Sequence, residues 1–212
     1  MSQTTPMPAP ITRLPRDKHS RSIPWFVHID DEGAPDFRII GRDKLLDAWR
    51  FSWCWVCGKP RGKHAAFVIG PMCGVNRVSA EPPSHLECAV YSARACPFLT
   101  TPTMVRRERG LDEIGTQDPA GLMLTRNPGV ALVWSSRTWV PFRAPGGGVL
   151  FNVGEPTATR WYAHGRTATR AEVLASIETG LPLLREQAEA EGDRAVAALE
   201  RMHADALTLV PA

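Results

Sequence analysis

The 212-residue sequence predicts an α+β fold: a treble-clef-like zinc site with flanking β-hairpins and C-terminal helices. Three observations carry this. A C-x-x-C pair, Cys54 and Cys57, is answered downstream by an H-x-x-C pair, His85 and Cys88. Short alternating runs broken by Gly, Pro and Asp flank this block, the pattern of half-buried strands. Helical spacing with capping signals fills the C-terminal part.

The cysteine block comes first because the rest is arranged around it. All five cysteines fall between Cys54 and Cys96. An odd number crowded into one window is no disulfide framework and points to metal instead. A C-x-x-C followed by Gly58 forms a tight knuckle that aims two thiolates at one ion, and tetrahedral zinc then needs two more ligands. His85 and Cys88, three apart in the first turn of a helix, share a face and supply them, with a helix N-terminus favouring the thiolate. Two alternatives stay open: Cys73, in a possible turn after Gly-Pro, or Cys96, eight residues beyond Cys88, in place of one ligand. A redox pair is disfavoured because "CWVC" lacks a βαβ context. The remaining reading is buried cysteines serving as small apolar core residues.

The elements follow in order. Residues 1–23, rich in Pro, Ser, Thr and Arg, are expected to be a flexible leader with no secretory h-region. Residues 24–103 form a hairpin plus zinc-binding module. "PWFVHIDDEGAPDFRII" reads as two strands around an acidic turn, Asp30, Asp31 and Glu32, taken as solvated. "GRDKLLDAWRF" is a helix with Leu45, Leu46 and Trp49 at helical spacing. "AAFVIGPMC" is a strand entering a Gly-Pro turn. "EPPSHLECAVYSARACPF" is a helix with Ser84 as N-cap, Glu87 completing a capping box and Pro97 as the stop. Residues 104–118 are a polar connector.

Residues 119–180 form a β-rich region with a helix. Two strands flank Asn127-Pro128-Gly129, which suits a type II turn, and two more flank a tip at Gly146-Gly147-Gly148. Trp134, Trp139, Trp161 and Tyr162 are expected to pack rather than act. Thr169 and Glu172 form a capping box. Gly180 is expected to end that helix and Pro182 to open the C-terminal helix, within 181–212.

Charge places the candidate binding surface. Net charge is +3, but Arg42 to Arg109 holds eleven Lys/Arg against five Asp/Glu, whereas Leu181 onward holds three against six. Lys59, Arg61 and Lys63 alternate just after the knuckle and Arg77 follows, so these four are the candidate phosphate contacts to DNA or RNA. "RRERG" at 106–110 is a weaker basic cluster. Trp49, Trp53 and Trp55 offer rings to bases, although tryptophans beside a small zinc site more often form its core.

Other chemistries lack their residues. A catalytic zinc keeps an open position, whereas this ligand set is closed. The deaminase signature, the P-loop, the dinucleotide fingerprint and the nucleophile elbow are absent. The enzymatic alternative is a treble-clef nuclease with His64 as its histidine. No apolar run reaches the length of a bilayer span, so no membrane role is read, and a reducing cytoplasm is the expected setting.

The block "CWVCG…AFVIGPMC…NRVSAEPPSHLECA…CPFL", with "PDFR" before it and "WYAHGRTATRAEV" after it, resembles a group of uncharacterised small bacteriophage and prophage proteins over residues 24 to 185. The resemblance implies a phage-type accessory protein in the host cytoplasm and brings no activity. The function expected is a non-enzymatic binding module with a structural zinc, nucleic acid leading as partner. A modulator of a host or phage protein, using the acidic C-terminal helix, is the further alternative.

Overall fold

A computed structural model describes residues 5–105, 127–144 and 147–212. In chain order the elements are α1 (Ala9–Thr12), β1 (Val27–Ile29), β2 (Pro35–Ile40), α2 (Lys44–Arg50), β3 (Ala65–Ile69), α3 (Pro71–Asn76), β4 (Val78–Ser79), α4 (Leu86–Ala95) and α5 (Pro97–Thr100). The second half adds β5 (Ala131–Ser136), β6 (Val140–Arg143), β7 (Val149–Asn152), β8 (Pro156–Ala163), β9 (Arg166–Thr167), α6 (Arg170–Glu191) and α7 (Asp193–Thr208). The expected α+β class holds, with every strand pair antiparallel. No described helix is long and apolar enough to cross a membrane.

Three sheets form: the β1-β2 hairpin, a four-stranded sheet in the order β3-β5-β8-β9, and a three-stranded sheet in the order β4-β7-β6. The central strand β5 is buried along its whole length, and its period-two alternation serves two cores. Leu132 and Trp134 face one side, with Phe67, Phe151, Trp161, Val173 and Ile177. Ala131 and Val133 face the other, where Ala89 and Ala93 of α4 lie against them. Those two alanines, four residues apart on one helical face, let α4 sit close on the sheet. This fixes the N-terminal end of α4, and with it the second ligand pair.

The expected hairpin over 24–40 forms, and its acidic turn has a structural role. The Asp30 carboxylate accepts from the backbone N–H of Glu32 and of Ala34, at 3.1 and 2.7 Å. The Asn127–Gly129 turn is also present, with Gly129 at φ +82° and its N–H donating to the Asn127 side chain at 2.8 Å. The strand expected before it, the "RRERG" cluster and most of the connector lie outside the described residues.

Several expectations are corrected. Within the stretch read as a mobile leader, the described residues 5–23 are docked: α1 forms and Ile11 is 1% exposed. The Gly70-Pro71 pair does not simply turn the chain but opens α3, since proline is preorganised for a first helical turn. Ser84 is not the cap of α4. It bridges Ala66 of β3 through two backbone hydrogen bonds of 2.7 and 3.0 Å, and His85 takes the N-cap position without a side-chain cap bond.

Gly180 does not end α6 and Pro182 does not open a new helix; both lie inside it. Gly180 is there for packing, because a Cβ at that position would stand 2.8 Å from Cγ of Met72. The break comes at Gly192, whose φ of +102° favours glycine. The helix in 181–212 is therefore the end of α6 plus α7. Trp161 then holds the chain beyond α7, donating from Nε1 to the Leu209 carbonyl at 2.9 Å.

The expected capping box is formed in full: Thr169 Oγ1 accepts from the Glu172 N–H, and the Glu172 carboxylate accepts from the Thr169 N–H. Arg166 adds a 2.6 Å ion pair to that carboxylate. Arg166 first, then the Thr169 N–H, hold the Glu172 carboxyl at about 2, below its ordinary 4.5. A depressed carboxylate stabilises the fold above its unfolded value, so this contribution is complete above pH 4.5 and fades as pH falls toward 2. Thr169→Ala should cost about 1 kcal/mol. In calorimetry at neutral pH this is a Tm lower by about 2–4 °C, and the gap should narrow at acid pH.

Candidate metal centre

The knuckle is built by backbone bonds between Ser52–Trp53 and Lys59–Arg61. Trp53 and Pro60 pair as an antiparallel bridge. Cys54 N–H donates to the Lys59 carbonyl, Gly58 N–H to the Cys54 carbonyl, and Arg61 N–H to the Ser52 carbonyl, each at 2.8 Å. Gly58 is required twice over: its φ is +67°, and a Cβ there would lie 2.4 Å from the Trp25 ring. The second ligand pair arrives on the extended segment before α4. Ser84 is bonded to β3, and Pro83 accepts from the Trp55 N–H at 3.3 Å, tying that segment to the knuckle.

These constraints bring Cys54, Cys57, His85 and Cys88 together, with all four donor atoms within 4.8 Å of one another. His85 Nδ1 lies 3.4 Å from Cys57 Sγ and 3.9 Å from Cys88 Sγ. A tetrahedral ion with zinc-like bonds, about 2.3 Å to sulfur and about 2.0 Å to nitrogen, sets sulfur about 3.6 Å from nitrogen. The donor set therefore fits one metal ion. The other ring nitrogen of His85 lies 3.0 Å from the Pro60 carbonyl oxygen. A carbonyl only accepts, so Nε2 carries the proton and the Nδ1 lone pair is turned toward the thiols.

The pocket is dry: Cys54 and Cys88 are fully buried and Cys57 is 4% exposed. Three thiolates cannot share such a volume without a cation. The Cys54 thiol is held far below its ordinary range by hydrogen bonds from the Cys57 and Cys88 thiols, helped by the Cys57 and His85 backbone N–H groups. Cys57 is pushed up, first by its bond to the Cys54 thiolate; Cys88 is pushed up by Cys54 and then by Cys57. Ile11 closes the pocket, packed with Val56 and the three cysteines, and Met7, Leu14 and Tyr91 surround it.

Arg61 completes the electrostatics. It is the one charged residue in the core among the described residues, 9% exposed, with its guanidinium 5.1 Å from the centre of the Trp139 ring. Burial lowers its proton affinity and the Cys54 thiolate raises it. Three thiolates and a neutral imidazole around a divalent ion would carry one net negative charge, and the positive charge of Arg61 acts in the opposite sense, favouring the Cys54 thiolate.

The other candidate residues lie apart from this cluster. Cys73, in α3, packs against the core of the large sheet, and burial raises its thiol. Cys96 caps the far end of α4. His64 is exposed, with Arg137 nitrogens 3.4 Å from its ring. Of the four expected phosphate contacts, Lys59 and Lys63 are exposed. Arg61 is inside, and Arg77 is engaged by Glu155, with Asp205 at 3.8 Å. Trp55 is buried and stacks on Phe26 at 4.7 Å, the packing role expected of it. Sequence reasoning missed Ile11, the Pro60 carbonyl and the burial of Arg61. The Ile11–Leu14 spacing, three apart within a polar stretch, was the one local signal.

Comparison of the chain with protein-family models, curated proteins and solved structures gives no match.

Metal uptake must displace the protons held on the thiols, and their number per ion is measurable. Calorimetry in buffers of different ionisation enthalpy should read that number near neutral pH. Apparent affinity should strengthen as pH rises while the thiols remain protonated. Ile11→Ala should destabilise the fold by about 2–4 kcal/mol and speed metal extraction by a chelator, followed with a chromogenic chelator.

Proposed function

We propose that Cys54, Cys57, His85 and Cys88 hold one structural zinc ion in a treble-clef-like site, and that the protein is a non-enzymatic binding module with nucleic acid as its partner. The observation that carries the metal reading is the orientation of His85, with Nδ1 facing the thiols and Nε2 bonded to the Pro60 carbonyl. Thiolate-rich donors suit zinc over harder cations. Four protein ligands close the sphere, which suits a structural ion and leaves no position for a substrate or an activated water. A treble-clef-like description rests on the knuckle and the helix start. Between them runs β3-α3-β4, whose two strands belong to different sheets.

The nucleic-acid reading is supported by the basic surplus around the knuckle, now carried at the surface by Lys59 and Lys63. The nuclease alternative has no support from His64, which faces Arg137 rather than the Cys/His cluster.

Elemental analysis of the reduced protein should give about one zinc per chain, and Cys88→Ser should abolish it. A strong chelator should lower the Tm of the wild type. Substoichiometric zinc together with a chelator-insensitive Tm would sink the metal reading. DNA or RNA binding that does not weaken with added salt, or is absent at low salt, would remove nucleic acid as the partner.

A further inference from the structure

The knuckle and the helix before it leave an unusual surface. Trp49 is 42% exposed and Phe51 is 49% exposed, although both adjoin the most constrained part of the chain. Phe51 begins a row of rings. Phe51 lies 5.1 Å from Trp53, and Trp53 meets Trp25 edge-on at 5.6 Å. The inner end of that row is rigid, because Trp25 rests on Gly58 of the knuckle turn. Cations sit on the rings at both ends: the Arg50 guanidinium 5.5 Å from the Phe51 centre and Lys44 Nζ 4.3 Å from that of Trp25.

The same register places further charge beside the rings. Trp53 pairs with Pro60, the Ser52 carbonyl accepts from the Arg61 N–H and the Lys59 carbonyl from the Cys54 N–H, so the segment that carries Lys59 and Lys63 returns beside the one that follows Phe51. Residues 42–63 hold six Lys/Arg against two Asp. Arg61 is buried over the Trp139 ring and is not part of this surface. Arg50, Lys59 and Lys63 are exposed and take part in no ion pair among the described residues.

We propose that Trp49 and Phe51, flanked by Arg50, Lys59 and Lys63, form a stacking platform for unpaired bases, so that the nucleic acid bound is single-stranded. This rests on the nucleic-acid reading above and narrows it. Exposed aromatic faces interleaved with cations match a chain of bases joined by phosphates. Duplex bases are already stacked on each other and offer such rings no face, whereas a single strand does. The zinc knuckle holds the rings in place, so little ordering is left for binding to do.

The test uses the full-length zinc-loaded protein and a fluorescent mixed-sequence oligonucleotide, as single-stranded DNA, as single-stranded RNA and as the duplex, followed by anisotropy at low salt. Single strands should bind tighter than the duplex. The double substitution Trp49→Ala, Phe51→Ala should weaken single-strand binding by about 10-fold or more and leave duplex binding unchanged. Trp49→Tyr should restore most of the loss. Lys59→Ala with Lys63→Ala should flatten the dependence of log affinity on log salt by about 1.4. Zinc content and Tm, measured on each variant, identify any that have lost the fold. Equal binding of duplex and single strand, unaffected by the aromatic substitutions, overturns the platform and leaves the nucleic-acid reading standing. If the zinc-loaded protein binds none of the three oligonucleotides, both fall.

Discussion

Three thiols and one imidazole confined to a single dry pocket set the terms for this half of the molecule. Such a group cannot carry its full charge alone; one thiolate is stabilised by protons held on the other two. A divalent ion would resolve the conflict by replacing those protons, and the residual negative charge would face the field of Arg61, which lies over Trp139 and favours the Cys54 thiolate. Buried guanidinium groups are otherwise costly.

The remaining architecture serves to bring two short segments to that point. The knuckle is closed by its own backbone bonds and by a glycine that nothing larger could replace. The other pair is placed by α4, which is clamped to the large sheet through Ala89 and Ala93 while the residues before it are hydrogen-bonded to β3. Rigidity in the sheet is therefore transmitted to His85 and Cys88 through a helix whose contact residues are the smallest available. A bulkier residue at either alanine would lift the helix and carry two ligands with it.

How much of this was legible in the sequence depends on the range of the interaction. The Cys/His cluster was legible because a knuckle and a helix start impose fixed local spacings, and the Thr169 capping box for the same reason. The hairpin at β1-β2 and the turn at Asn127–Gly129 rest on local turn chemistry and were also readable. What failed was decided at a distance. Gly180 looks like a helix stop, yet Met72, far away in the chain, makes it a contact residue. Arg61 sits in a run of exposed cations and nothing beside it announces Trp139. Ser84 has ideal capping chemistry, but pairing with Ala66 claims its backbone first.

The docking of Ile11 has a consequence for the order of assembly. Its partners include Cys54 and Cys88, so a residue synthesised early must wait for one synthesised much later before it finds its place. Closing so long a loop is slow compared with forming the knuckle or the first turn of α4. The cover over the sulfurs is thus the part of this cluster that depends on the longest reach along the chain.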